Sequence, residues 1–142
     1  MMLSNKHQRG FAAVEMVIAT PVLLFFLGLV IELGNVLIHY NVISKSVQNG
    51  ARYAVSEVYD TKGGTIAPTL EIQNVVVYGQ SSVGTAVLST LTTADVTVTP
   101  PSIDSYVRVS VTYDYVPLFL SIPLSATSFS IPLSVTSVMR VL

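Results

Sequence analysis

The chain has 142 residues, of which 51% are hydrophobic and 11% charged, with a formal net charge of -1 and no cysteine. The near-neutral charge excludes the basic surface that nucleic-acid binding requires. The lack of cysteine excludes disulfides, thiolate catalysis and thiolate metal sites. Once an apolar N-terminal segment is set aside, roughly 110 residues remain, which is enough for one small domain.

A short basic leader, residues 1–10, precedes an apolar run, residues 11–31, in which Glu15 is the only charged residue. As a helix, these 21 residues extend about 31 Å, close to the thickness of a bilayer hydrocarbon core. The next basic residue after Arg9 is Lys45, so the positive-inside rule predicts a cytoplasmic N-terminus and an exported C-terminal part. An ordinary secretory signal peptide is the alternative, but its apolar core is shorter and a small-residue cleavage site follows it. The sequence therefore predicts a single transmembrane helix.

Glu15 is an unusual residue for the inside of an apolar run. A charged side chain at the centre of a bilayer costs about 2.5 to 3.5 kcal/mol on insertion scales, so one interpretation is that the carboxylate has a specific partner. The other is that the helix dipole stabilises a carboxylate in the first turns, by about 0.3 to 1 kcal/mol. The dipole explains why Glu15 is tolerated, but not why it follows Arg9 and Gly10 at this spacing.

The sequence RGFAAVE at residues 9–15, followed directly by an apolar helix, resembles the leader and helix start of type IV pilin-like proteins. More narrowly, it is similar to the TadE/TadF minor pilin family of tight-adherence (Flp) pilus systems. The closing VTSVMR at residues 135–140 resembles the end of that family, whereas residues 60–93 match nothing recognisable. The similar positions along the helix are Pro21, Glu32, Gly34, Gly50, Ala51 and Arg52.

This resemblance implies that a prepilin peptidase cuts between Gly10 and Phe11, and that Glu15, then the fifth residue, sets the register of assembly. It also implies an inner-membrane protein with a periplasmic C-terminal domain, or a subunit of the extracellular pilus. The implied partners are the prepilin peptidase, other minor pilins of the family, the inner-membrane assembly platform and the major Flp pilin. The major pilins of such systems are little more than a leader and one helix. The sequence leaves open whether the chain is TadE-like or TadF-like, and whether it enters the filament or only primes it.

Beyond the membrane run, apolar residues recur at steps of three and four, which predicts that the helix continues over residues 32–58 with one apolar face. Pro21 is expected to kink this helix, because proline removes one backbone hydrogen bond. Gly28 and Gly34 are more typical of ordinary membrane helices than of a close helix contact. His39 is expected to be an ordinary surface residue. The residues of the predicted apolar face are Val36, Tyr40, Ile43, Val47, Ala51, Ala54 and Val58.

Residues 59–142 predict an antiparallel sheet domain. Turn-forming residues in 59–68 link it to the helix, and residues 71–78 predict a strand centred on Val76. Residues 81–93 are compatible with a loop or with a short helix.

Alternating apolar and polar residues predict a strand pair at 95–99 and 107–115, interrupted by two prolines, and a further strand at 128–135. Pro132 places that last strand at an edge or a bulge. Residues 117–123 are apolar enough to cover the sheet or, less favourably, a neighbouring subunit. The predicted fold class is α+β: a long N-terminal transmembrane and amphipathic helix followed by a small antiparallel sheet of three or four strands, as in pilins.

The sequence predicts no catalytic, cofactor or metal site, and hence no enzyme. His7 and His39 have no second ligand at metal-site spacing, and no nucleophile elbow or phosphate loop is present in the sequence. Two functions follow: a minor pilin or pseudopilin required for assembly of a tight-adherence pilus, or an uncleaved, single-pass periplasmic binding or adhesion module. Cleavage after Gly10 distinguishes them.

Overall fold

A computed structural model describes residues 6–60, 66–101, 105–117 and 130–141, with the side chains of the first helix described for residues 10–56. The three strands form one antiparallel sheet in the order β1-β2-β3. The predicted α+β class, with a long N-terminal helix and a small antiparallel sheet, is confirmed. The chain divides into two compact units, Met1–Asn35 and Val36–Leu142. The elements in chain order are α1 (Lys6–Asp60), α2 (Thr69–Tyr78), a 3-10 turn (Thr93–Asp95), β1 (Val96–Thr99), β2 (Tyr106–Tyr115) and β3 (Ile131–Arg140).

The first unit contains the N-terminal part of α1, whose apolar side chains face outward. Phe11 is 76% exposed and Phe25 63% exposed. The stretch Gly10–Ser56 is long and apolar enough to cross a membrane, and its most apolar part is unburied. The helix begins inside the predicted leader and continues through Pro21, and the kink at Pro21 stays a prediction. Just before it, the Thr20 hydroxyl donates to the Met16 carbonyl oxygen at 2.6 Å.

In the second unit, α1 buries one face against the sheet and α2. Ile43, Val47, Ala51 and Ala54 are fully buried, at steps of three and four. The apolar face predicted from the spacing is therefore confirmed at these positions. Tyr40, included in that prediction, is 44% exposed instead.

The sheet is built around β2, whose side chains alternate between a buried inner face and an exposed outer face. On the inner face, the buried Val111 pairs with Val96 of β1 on one side and with Val135 of β3 on the other. On the outer face, Arg108 and Asp114 are exposed. The predicted pairing of the strands at 95–99 and 107–115 is confirmed by this register, and the alternation is the physical reason that it was readable from the sequence.

The prediction of a strand at residues 71–78 is wrong, because these residues form the helix α2. Ile72, Val75 and Val76 are buried at steps of three and four, the spacing of one helical face. Glu71 lies in the first turn, where the helix dipole favours a carboxylate. Gly79 ends the helix with φ +74, and its N–H donates to the Val75 carbonyl oxygen at 3.0 Å. These local signals outweigh the β propensity of three consecutive valines.

The last strand, β3, lies at the edge of the sheet, as Pro132 predicted. Its register with β2 is continuous from Tyr106↔Arg140 to Tyr115↔Ile131, so Pro132 marks an edge and not a bulge. Between α2 and β1, residues 80–92 form turns and loop. The 3-10 turn that follows them is the only regular element described in this connection. Pro117 is buried, whereas residues 118–123 of the predicted covering segment lie outside the described residues.

Candidate functional site

The first candidate site is one side of α1 near its start. Seven residues at helical spacing line a shallow groove along it, and Glu15 is the only charged residue among them. The carboxylate of Glu15 therefore lies on the same side of the helix as Phe11, one turn away. The groove residues are Phe11, Val14, Glu15, Ile18, Ala19, Val22 and Leu23.

Gly10, the predicted residue before the cut, is helical and surrounded by open space. Among the described residues, a Cβ added there meets no atom within 4 Å beyond the backbone of its own helix and its chain neighbours, and the same holds for Gly34. Since glycine in a helix costs about 1 kcal/mol relative to alanine, the fold alone gives no reason for glycine at residue 10.

Gly50, in contrast, is required by packing. A Cβ at this position overlaps Cγ2 of the fully buried Val76 and lies 3.6 Å from the carbonyl oxygen of Ile72. The glycine thus lets α1 approach α2 closely. Of its neighbours, Ala51 is buried in the core and Arg52 is exposed.

Tyr53 forms a second link between the two helices. Its hydroxyl donates to Oε2 of Glu71 at 2.8 Å, in a partly buried position. The sequence GARYA at residues 50–54 is therefore the segment of α1 that holds α2 in place. The resemblance identified this segment as a motif, but only the structure gives the physical reason for it.

His39 contacts the sheet, so the expectation of an ordinary surface residue is wrong. It is half-buried, and its ring packs edge-on against Tyr115 with centroids 4.9 Å apart. Its Nδ1 lies 3.4 Å from the hydroxyl of Tyr113, which accepts a hydrogen bond from Oγ1 of Thr90 at 2.8 Å. This group, called here the His39 cluster, joins α1, the loop before β1, and β2.

Two side chains of α2 hold the surrounding backbone, and neither is predicted from the sequence, because the pattern of this segment favours a strand. Nε2 of Gln73 donates to the Val96 carbonyl oxygen at 3.0 Å, and Nδ2 of Asn74 donates to the Ser81 carbonyl oxygen at 3.0 Å. The signal that could have found them is the helical spacing of the buried residues around them.

The predicted site residues are distributed along α1. Gly10, Phe11, Glu15 and Pro21 lie in the first unit together with Glu32 and Gly34, and Gly50, Ala51 and Arg52 lie in the second. Among the residues that the structure describes, no group of three or more His, Asp or Glu side chains is placed to hold a metal ion.

The fold defines an α+β protein with one apolar N-terminal helix that is a candidate membrane span and a small antiparallel sheet. Its residues 10–52 match the family model described as TadE-like protein. The resemblance to the TadE/TadF family is confirmed over this segment. No curated protein and no solved structure gives a significant match.

Proposed function

We propose that this chain is a minor pilin or pseudopilin required for assembly of a tight-adherence (Flp) type IV pilus. The observation that carries the proposal is the TadE-like match, which begins at Gly10 and includes Glu15. In this proposal the chain performs no chemistry of its own, and a prepilin peptidase removes residues 1–10.

The surroundings of Gly10 support processing at this position. A peptidase needs access to the backbone, and glycine leaves the backbone unshielded by a side chain. No described atom packs against Gly10, so packing gives no reason for glycine at this position, and the proposal attributes it to recognition by the peptidase. Phe11, which would become the N-terminal residue, is 76% exposed.

The groove around Glu15 supports an assembly role for the same helix. Before cleavage the apolar residues hold the chain in the inner membrane, with the basic leader in the cytoplasm and the sheet domain in the periplasm. After cleavage Phe11 carries a free amine. In the low dielectric of a helical bundle, a carboxylate opposite the amine of a neighbouring subunit forms a strong, charge-assisted contact. Glu15 then sets the register between subunits. The expected partners are other minor pilins of the family, the assembly platform and the major Flp pilin.

The mature N-terminus tests this proposal. We expect mass spectrometry of the protein from its native host to find Phe11 at the N-terminus. Gly10→Ala is expected to accumulate uncleaved precursor, because a methyl group then shields the backbone before the cut. Gly34→Ala is the matched control, since Gly34 is also a helical glycine in open space, and its cleavage should be normal. An intact leader in the native host would overturn the proposal in favour of the uncleaved periplasmic binding or adhesion module.

A further inference from the structure

The two edge strands of the sheet, β1 and β3, differ in length and in how their outward backbone groups are capped. On β1, which has four residues, the Val96 carbonyl oxygen points away from the sheet and accepts a hydrogen bond from the Gln73 side chain. Two prolines follow this strand directly. On β3, which has ten residues, we find no such cap among the described residues. The long edge is therefore the one that offers backbone groups to another chain.

The register shows which residues of β3 offer these groups. The Val141 N–H donates to the Ser105 carbonyl oxygen at 2.7 Å, which makes residues 141 and 105 a hydrogen-bonded pair. Because such pairs recur every second residue in an antiparallel ladder, the odd-numbered residues of β3 bond to β2. The even-numbered residues then direct their backbone groups outward. Pro132 is one of these, and it has no N–H to offer, so the usable edge runs from residue 134 to residue 140.

The side chains along this edge specify what fits beside it. On the inner face, Val135 and Met139 are only half-buried, whereas Val107 and Val109 of the central strand are fully buried. A further strand with apolar residues at alternate positions would cover the half-buried pair.

On the outer face, the two described charged side chains near the C-terminal end of β3 are cationic. Arg140 is exposed at the end of the strand, and the exposed Arg108 pairs with Val138. Asp114 of β2, an acidic residue on the outer face, pairs with Pro132 at the opposite end. At about 3.4 Å per residue, the eight-residue offset along β2 separates Asp114 from the position of Arg140 by about 27 Å. Among the described residues, no acidic side chain lies near Arg140 to repel a carboxylate placed beside it.

We propose that the β3 edge binds an extended segment of a partner protein by strand addition, antiparallel to β3, with an acidic residue at its N-terminal end beside Arg140. Its remaining side chains alternate between polar on the outer face and apolar on the inner face. The inference goes beyond the proposed function, because it concerns the folded sheet and is independent of cleavage at Gly10.

The test uses the full chain in detergent micelles and a synthetic seven-residue peptide. The peptide has glutamate at position 1, threonine at positions 3, 5 and 7, and valine between them. We expect hydrogen exchange, followed by NMR, to slow at the outward amides of Ser134, Thr136, Val138 and Arg140 when the peptide is added. The inward amides of Val135, Ser137 and Met139, which already bond to β2, are expected to change little.

The register is tested by disulfide formation, since the chain has no cysteine of its own. In the proposed register, position 5 of the peptide lies opposite Thr136. A peptide with cysteine at position 5 is therefore expected to cross-link to Thr136→Cys. Thr112→Cys is the matched control, because Thr112 is exposed on the same outer face but lies on the central strand. The Thr112→Cys variant also measures the background cross-linking that arises when the peptide binds the micelle and not the β3 edge.

The charge preference is tested with a second peptide that has lysine at position 1. The glutamate peptide is expected to bind roughly two- to fivefold more tightly than the lysine peptide, as exposed ion pairs allow. Arg140→Glu should reverse this order without unfolding the exposed edge. Cross-linking at Thr136→Cys no greater than at Thr112→Cys, or unchanged exchange of the outward amides, would overturn strand addition at β3. An unchanged peptide preference in the Arg140→Glu variant would overturn the acidic character of the partner.

Discussion

Glu15 is a single carboxylate on an otherwise apolar side of α1, with Phe11 one turn before it and Val22 two turns after it. Apolar contacts between neighbouring helices are tolerant of small shifts along the helix axis, because one methyl group replaces another at similar energy. A carboxylate that must meet an amine is not tolerant of such a shift, since the alternative is an unpaired charge in a low dielectric. Glu15 is thus suited to fix an axial position that the apolar residues leave undetermined.

For Glu15→Val, we expect membrane insertion and cleavage to be retained or improved, and pilus assembly to be lost. Insertion improves because the variant removes a charge from the apolar run. Assembly is measured by electron microscopy of pili, and cleavage by immunoblotting of the precursor and mature forms. Thr20→Val is the matched control, since it removes an exposed polar group of the same helix whose hydroxyl bonds only to the local backbone. Normal piliation of Glu15→Val would leave the helix dipole as the explanation of this residue.

In the His39 cluster, the Tyr113 hydroxyl connects Thr90 to His39. Tyr113→Phe is expected to lower the free energy of unfolding by about 0.5 to 1.5 kcal/mol, because it leaves both partners without this hydrogen bond. Urea unfolding of the full chain in micelles, followed by tyrosine circular dichroism, measures the change. Tyr106→Phe, at a position 48% exposed on the same strand, should change stability by less than about 0.5 kcal/mol. Equal effects of the two variants would contradict a structural role for the cluster.

Single residues were predictable from the sequence where a local pattern identified them. Gly10 and Glu15 stand out because each is unusual at its own position in an apolar or helical run. Gly50 was identified only by resemblance, since the reason for it is the methyl group of Val76 on another helix. His39 was mispredicted for the same reason: its contacts are tyrosines 74 and 76 residues further along the chain. Spacing along the sequence carries no signal of such distant contacts.

The contact between α1 and α2 depends on the missing side chain of Gly50. Gly50→Ala gains up to about 1 kcal/mol of helix propensity but pays about 1 to 3 kcal/mol for overpacking against Val76. We therefore expect a net loss of up to about 2 kcal/mol in the free energy of unfolding, measured by urea unfolding as above. Gly34→Ala, with no atom in its way, is expected to leave stability unchanged or higher.

A double variant separates this clash from a general effect of alanine. Val76→Ala removes the methyl group that a Cβ at residue 50 would overlap. In the Val76→Ala background, Gly50→Ala should no longer destabilise the protein, because only the propensity gain remains. Additive effects of the two substitutions would contradict the close approach of the helices.

The spacing of apolar residues in the sequence predicts the secondary structure of β2 correctly, but not that of α2. In β2, five inner-face residues alternate strictly with outer-face residues over the whole strand, so its prediction needed no other information. In α2, three consecutive valines satisfy the strand propensity and the helical spacing at once. The capping glycine and the first-turn glutamate decide for the helix, together with the burial of Ile72 and Val76 on one face. A short apolar run does not carry enough periods to make this distinction from its sequence.

The chain carries a folded sheet domain after the helix, in contrast to the single-helix major pilins that the resemblance implies. Such a domain would crowd a densely packed helical shaft, but has space at a tip or in a membrane-held priming complex. We therefore expect deletion of the gene to abolish pili while the major pilin is still made. Quantitative proteomics of sheared filaments should find this chain far below the major pilin or absent. Its recovery as the dominant filament protein would overturn the minor-pilin assignment.

The hydrogen bond from Gln73 to Val96 also bears on which edge of the sheet can add a strand. This bond and the four-residue length of β1 favour the addition of a strand at β3 over β1. A unit with a single acceptor edge forms a pair with its partner and cannot concatenate into a longer sheet. If strands add at β3 alone, raising the amount of such a unit would sequester partner molecules one for one instead of lengthening any assembly, which would give the proposed low copy number a geometric reason.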